Sequence, residues 1–375
     1  MRKMSSTVAV SIFLLLGGLF AGGCASDAKV VQAAAGVHTQ LEPAVIEDPE
    51  LANYLQSVGD RIIQTAQELD RQGYGPKTHK SEKTDWMFKN MKFHFVNSKT
   101  LNAFTTGGEH MYIYNELFQQ SRSEDELAAV MAHEYGHVYA RHVGKGMNRQ
   151  YGLLAAAAAL GGAGYVAGGK EKGTQYATLG ASLGAAGGQF LNMGFTRKDE
   201  NEADKLGFDF YTHAGWDPNK FDDFFQAMID KGLDTTPELV SDHPSLKNRV
   251  AATQERVKKL PPAAAQWRKP PVATPEQFKA LQARAAKLGE TLPNDKSLEN
   301  TQQLLAALPR SCIFPYVPED EAKAREELVK RAQAAEAAQK KQQQSQQPPP
   351  PSAKRKRTAA AATPAGSQVI SSPAR

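Results

Sequence analysis

Apolar residues recur at helical spacing from Leu51 onward, where Leu51, Leu55, Val58, Ile62, Ala66 and Leu69 form one stripe. Asp48-Pro49 supplies an N-cap and a first-turn proline before it, and Gly73 a stop, so the spacing predicts a helix over that stretch. The period then changes. Met91, Phe93 and Phe95 alternate with Lys92 and His94, which predicts a strand, and Glu109 to Asn115, after the Gly107-Gly108 turn, predicts a second. Ser123-Glu124-Asp125-Glu126 reads as a capping box with acids in the first helical turn. Leu127, Val130 and Met131 carry that helix on to about His142. Thr274-Pro275 opens another with Phe278, Leu281 and Leu288, and Glu319 starts a long charged one. These patterns predict an α+β class, mostly helical with a small sheet.

The two ends read differently from this body. Residues 1–23 have a charged start (Arg2, Lys3), an apolar run from Val8 to Phe20 and a small-residue site, Ala21-Gly22-Gly23. With Cys24 next, this resembles a bacterial lipoprotein signal, although Ala21 stands where that pattern usually has Leu. The resemblance implies a lipidated Cys24 as mature N-terminus, and Ala25 after it resembles the outer-membrane sorting pattern. Residues 24–265 are expected to form the main domain, 266–340 a helical C-terminal extension, and 341–375 a disordered tail rich in Gln, Pro and Ala. Residues 151–194 are dominated by Gly and Ala. Their small side chains transfer weakly into lipid, so a packed helical hairpin at the membrane interface is expected ahead of a true span.

Charge narrows the function. The net +5 comes from the ends: seven Lys/Arg lie in residues 340–375, and without them and Arg2 and Lys3 the chain holds 36 basic against 40 acidic residues. A nucleic-acid-binding core is thereby excluded as the default. Two cysteines, Cys24 and Cys312, are too few for a disulfide scaffold.

The chemistry sits in His133-Glu134-Tyr135-Gly136-His137, inside the capped helix. Residues four apart differ by about 40° around a helix axis, so both imidazoles face one way and can share one metal ion. Glu134 on the same turn is placed to take a proton from water and return it to a leaving amine. A catalytic zinc needs a third protein ligand. The metzincin pattern fails, because Ala140 and Val143 stand where Gly and His would be. Glu200 and Glu202 remain. Ala203, Gly207, Phe210, Tyr211 and Ala214 fall within about 80° of Glu200, so Glu200 is expected to face the core and Glu202 water. Asp204, one turn on, suits a second-layer acceptor orienting a ligand imidazole. His142 is about 140° from His137 on a continuous helix, too far for the same metal. His94, His110 and His213 have ordinary readings, His213 as a partner of its helix dipole.

HEYGHVYARH, RKDENEADKLG, AGWDP and DHPSLKNR, in that order, resemble the HtpX-like family of membrane-associated zinc metallopeptidases over roughly residues 40–260. Its relatives include CAAX prenyl proteases and periplasmic lipoproteins of outer-membrane quality control. The resemblance implies a gluzincin-type, zincin-like metallopeptidase domain with one Zn2+ per chain, held by His133, His137 and Glu200, with Glu134 as general base. His243 matches a histidine that in periplasmic relatives can approach the zinc as a further ligand, which leaves it either an inhibitor of the resting site or a residue that contacts substrate. No tetratricopeptide pattern follows residue 260, so partner binding does not carry over, and any assembly-machinery partner stays unknown. The expected function is hydrolysis of unfolded or misassembled envelope proteins by an outer-membrane lipoprotein facing the periplasm. An extended substrate would add to the Met111–Asn115 strand. The rival is a lipoprotein chaperone with a self-inhibited or structural zinc.

Overall fold

A long helix, α2 (Pro49–Arg71), forms where its stripe predicts it. The Asp48 carboxylate accepts from Leu51 N–H at 3.0 Å, and all six predicted stripe residues are buried. The computed structural model describes residues 26–75, 85–148, 195–232 and 245–292, with 298, 301, 302 and 305. Cys24, the Gly/Ala segment, His243, Cys312, the tail and the helix expected from Glu319 lie outside the described residues.

After the short α3 (Trp86–Lys89) come three strands, β1 (Lys92–Val96), β2 (Ala103–Thr105) and β3 (His110–Tyr114). Their order is β1-β3-β2, with β1 and β3 parallel and β2 antiparallel to β3. This corrects one expectation. The Met111–Asn115 segment is the central strand, paired on both sides, so its backbone groups are taken and no extended substrate can join it. Asn115 belongs to α4 (Asn115–Gln120) instead. The edge on the far side from β1 is β2, three residues too short for alternation to reveal.

The pleat divides the sheet. Phe93, Phe95, Met111 and Ile113 enter the main core with α2, each such burial contributing about 1.5–3 kcal/mol. Val96, Phe104, Tyr112 and Tyr114 instead join a second apolar cluster built on α1 (Asp27–Leu41) through Val30, Ala34, Val37 and Leu41. The sequence reading has no element at α1.

The next helix, α5 (Glu124–Tyr139), stops short of His142. Arg141 takes a left-handed conformation (φ 59), with its guanidinium on Asp27, and helical backbone resumes over 142–148. The capping box is half formed. Ser123 accepts from Glu126 N–H, but Glu126 turns its carboxylate to the N–H and guanidinium of Arg122. Glu124 is likewise buried away from water. It accepts from Trp216, Tyr54 and the N–H groups of Val272 and Ala273, holding the chain that leads into α9 (Pro275–Glu290) against the domain. Phe278, Leu281 and Ala285 of α9 are members of the main core.

Between them lie α6 (Arg197–Ala214), α7 (Asp223–Asp230) and α8 (Leu246–Lys258). A full capping box of Thr196 and Asp199 starts α6, and Gly215 (φ 103) ends it. No described helix is long and apolar enough to cross a membrane.

Candidate metal centre

Helices α5 and α6 pack with their backbones almost in contact. A Cβ on Gly136 would lie 2.8 Å from the Ala203 carbonyl oxygen, and one on Gly207 2.8 Å from the His133 backbone. Only glycine fits these two positions, and the close approach is what lets a carboxylate on α6 reach the histidines of α5.

That carboxylate is Glu200. Its Oε2 lies 3.7 Å from His133 Nε2 and its Oε1 3.5 Å from His137 Nε2, while the two Nε2 atoms are 3.1 Å apart. All three side chains are buried. Ligand atoms at about 2.0–2.1 Å from a tetrahedral zinc sit about 3.3 Å from one another, so this donor set of two imidazoles and one carboxylate matches zinc in chemistry and in spacing. Glu134, the neighbour of His133, is buried too, at 2% exposure.

The imidazoles are held from behind. Asp204 Oδ1 lies 2.9 Å from His133 Nδ1, which leaves Nε2 for the metal. Burial opposes the ionised Asp204, but Arg249 and His133 outweigh it and hold its carboxyl well below the usual range. Burial also lowers the pKa of His133, with Asp204 pulling it up and Arg249 down, so the ring is neutral and ligand-competent at pH 7. Arg249, from α8, donates through Nε to Asp204 Oδ2 at 2.9 Å, bonds Oδ1 through Nη2, and stacks over the Phe225 ring at 4.1 Å. The sequence reading gives Arg249 no role. A guanidinium at 2% exposure is unusual without a buried partner, but its motif, DHPSLKNR, does not tell which arginines are buried.

His142 also lies closer than expected. The break at Arg141 turns it back so that its Nδ1 is 3.0 Å from His137 Nδ1, away from the ring face that meets Glu200. Its Nε2 is 3.2 Å from Glu202 Oε2, and Phe195 stacks on His137 at 4.0 Å. Glu202 therefore stands on the outer side of α6, as the helix periodicity predicts. It is only 36% exposed and is engaged by His142 and Lys145 rather than simply solvated. His213 bonds the Asp209 carbonyl one turn back, as its ordinary reading anticipates. His94 and His110 lie next to His38, outside this centre.

Fold and site together have the form of a zincin-like metallopeptidase domain, mostly helical, with paired helix histidines and a glutamate from a second helix placed so that they could hold a metal ion. The comparisons agree: residues 77–257 match Peptidase family M48. It is 29% identical over 227 residues to the beta-barrel assembly-enhancing protease of Escherichia coli (strain K12), covering 59% of this chain and 42% of that protein. It is 28% identical over 222 residues to the Yersinia pestis protein of the same name, covering 58% and 41%. Against the metalloprotease LoiP of Escherichia coli (strain K12) it is 28% identical over 162 residues, 43% of this chain and 60% of that one. The chain thus spans well under half the length of the assembly-enhancing proteases it matches.

Proposed function

We propose that this protein is a zinc-dependent endopeptidase of the bacterial cell envelope that cleaves unfolded or misassembled envelope proteins. The observation that supports it most is the buried His133–His137–Glu200 set with an intact Glu134 beside it on α5. A purely structural metal site has no need of that carboxylate.

Zinc, when bound, supplies Lewis acidity that polarises a peptide carbonyl and acidifies water. The chain supplies the rest. His133, His137 and Glu200 hold one ion per chain, and Asp204, itself fixed by Arg249, keeps His133 in the tautomer that presents Nε2. Glu134 takes the proton of the attacking water and delivers it to the departing amide nitrogen. Burial of the site removes competing solvent, so these fixed groups act in a low dielectric. An extended substrate pairs with β2, the outer strand that packs against α5, since β3 is closed on both sides.

Lipidation at Cys24 and an outer-membrane position facing the periplasm are part of this reading, carried by the residues around Cys24 and by the names of the assembly-enhancing proteases. His243 is proposed to enter the open zinc position at rest, which would reconcile the enzyme with the self-inhibited state of the chaperone reading. The test is a Glu134→Gln variant of the full chain with unfolded casein as substrate. It should keep stoichiometric zinc and lose cleavage by several orders of magnitude. Equal cleavage by variant and wild type would refute the mechanism.

A further inference from the structure

We propose that His38, His94 and His110 form a second site for a divalent transition-metal ion, sharing no residue with the centre on α5 and α6. The three rings come from three separate elements: His38 from α1, His94 from β1 and His110 from β3. Parallel pairing of β1 and β3 puts His94 opposite Tyr112 and one pleat from His110, on the sheet face that α1 covers. Phe93 and Phe95 point the other way. The alternation that buries Phe93 and Phe95 on β1, and Met111 and Ile113 on β3, therefore delivers both strand histidines to the side of His38.

One nitrogen of each ring lies within 4.8 Å of one nitrogen of each of the others. His94 Nε2 and His110 Nδ1 are 3.0 Å apart, close to the spacing of the His133–His137 pair. The Tyr112 hydroxyl is 2.9 Å from His38 Nδ1, the type of outer contact that orients a ligand imidazole. Glu42 Oε1 stands 4.0 Å from His38 Nε2, one turn along the chain. Beside the cluster opens a cleft of about 490 Å³ whose mixed polar and apolar lining includes His38, Glu42, Glu47 and His94, which provides an entry path, negative charge to attract a cation, and room for a further ligand.

The rings are half-buried and chemically ready. Burial, with the neighbouring histidines adding to it, draws His94 down to about 3 and His110 to about 4, so both keep a lone pair at neutral pH. Burial lowers His38 as well, against the pull of Glu42. A set of three imidazoles selects borderline ions such as Zn2+, Ni2+ or Cu2+ over the hard Ca2+ and Mg2+. The competing arrangement is a ring stack without metal. His38 and His110 lie face to face at 4.1 Å and 13°, so His38 must turn about its side-chain bonds to aim at a shared ion.

Zinc stoichiometry separates the two. The full chain is stripped with chelator, equilibrated with Zn2+, freed of unbound metal and analysed by mass spectrometry, beside His94→Ala/His110→Gln and Glu200→Gln. Wild type should hold two zinc ions per chain, and each variant one. The double variant should keep basal cleavage and lose affinity at the second site by about 100-fold or more, beyond the usual cost of disturbing an outer partner. One zinc in wild type that vanishes in Glu200→Gln, or two retained by the double variant, overturns the proposal. Should the double variant misfold, Co2+ added to wild type decides: the ring protons of His38, His94 and His110 should shift paramagnetically, and unshifted signals at saturation mean a metal-free stack.

Discussion

Arg249→Leu tests the support of the metal centre most directly. In the wild type the Arg249 guanidinium meets both oxygens of Asp204, with Nη2 also 3.2 Å from His133 Nδ1, and both charged residues are at 2% exposure. Leucine keeps much of the volume and removes the charge, leaving a buried carboxylate with only the His133 contact. Losing one partner of a buried pair costs about 3–5 kcal/mol, a large share of the roughly 5–15 kcal/mol that keeps a domain folded. The guanidinium's place over the Phe225 ring adds about 0.5–2 kcal/mol to what is lost. Urea denaturation of metal-free protein at pH 7 measures the change. The pH dependence has a defined sign. Asp204 is held below its ordinary 3.8, so its stabilising contribution is complete above that pH and fades as pH falls toward the folded value. The gap between wild type and variant should therefore narrow on acidification. Adding Asp204→Asn to Arg249→Leu should recover part of the loss, because the orphaned charge is gone. A loss under about 1 kcal/mol, or strict additivity in the double variant, would refute the reasoning.

Other expectations follow from the same contacts. Gly207→Ala should cost about 1–3 kcal/mol and weaken zinc binding, since its methyl meets the His133 backbone at 2.8 Å; unchanged zinc affinity by competition with a chelating dye would show that helix separation does not control the site. Glu200→Gln should lose zinc at the catalytic centre while Glu202→Gln keeps it, and equal retention by equilibrium dialysis would contradict the assignment of faces on α6. His243→Ala should raise basal casein cleavage and shorten the protein's own lifetime. A slower variant with unchanged zinc would make His243 a substrate-positioning residue.

The elements that announce themselves along the chain are those with a complete local signal. Asp48-Pro49 and six apolar positions define α2, and the Met91–Phe95 alternation defines β1. The metal pair is local too, because two histidines four apart on a helix must face the same way. Even Glu200 over Glu202 follows from the periodicity of α6 alone. A three-residue strand, by contrast, has no alternation to read, and a capping motif does not reveal that Glu126 prefers Arg122 to its own N-cap.

Tertiary structure decided what depends on residues distant in sequence meeting. The contact of Gly136 with Ala203 and of Gly207 with His133 sets how closely α5 and α6 approach, and neither glycine differs in sequence from one in a loosely packed helix. The left-handed Arg141 returned His142 to His137, against the reckoning for an unbroken helix. Pairing on both sides of β3 closed the strand expected to take substrate, Arg249 reached Asp204 from 45 residues away, and His94 and His110, each with an ordinary individual reading, became neighbours of His38. The physical reason is one of range. Helix and strand periods follow from the backbone geometry of a few residues, whereas close approach, burial of a charge and convergence of ligands come from packing between elements, which no local window contains.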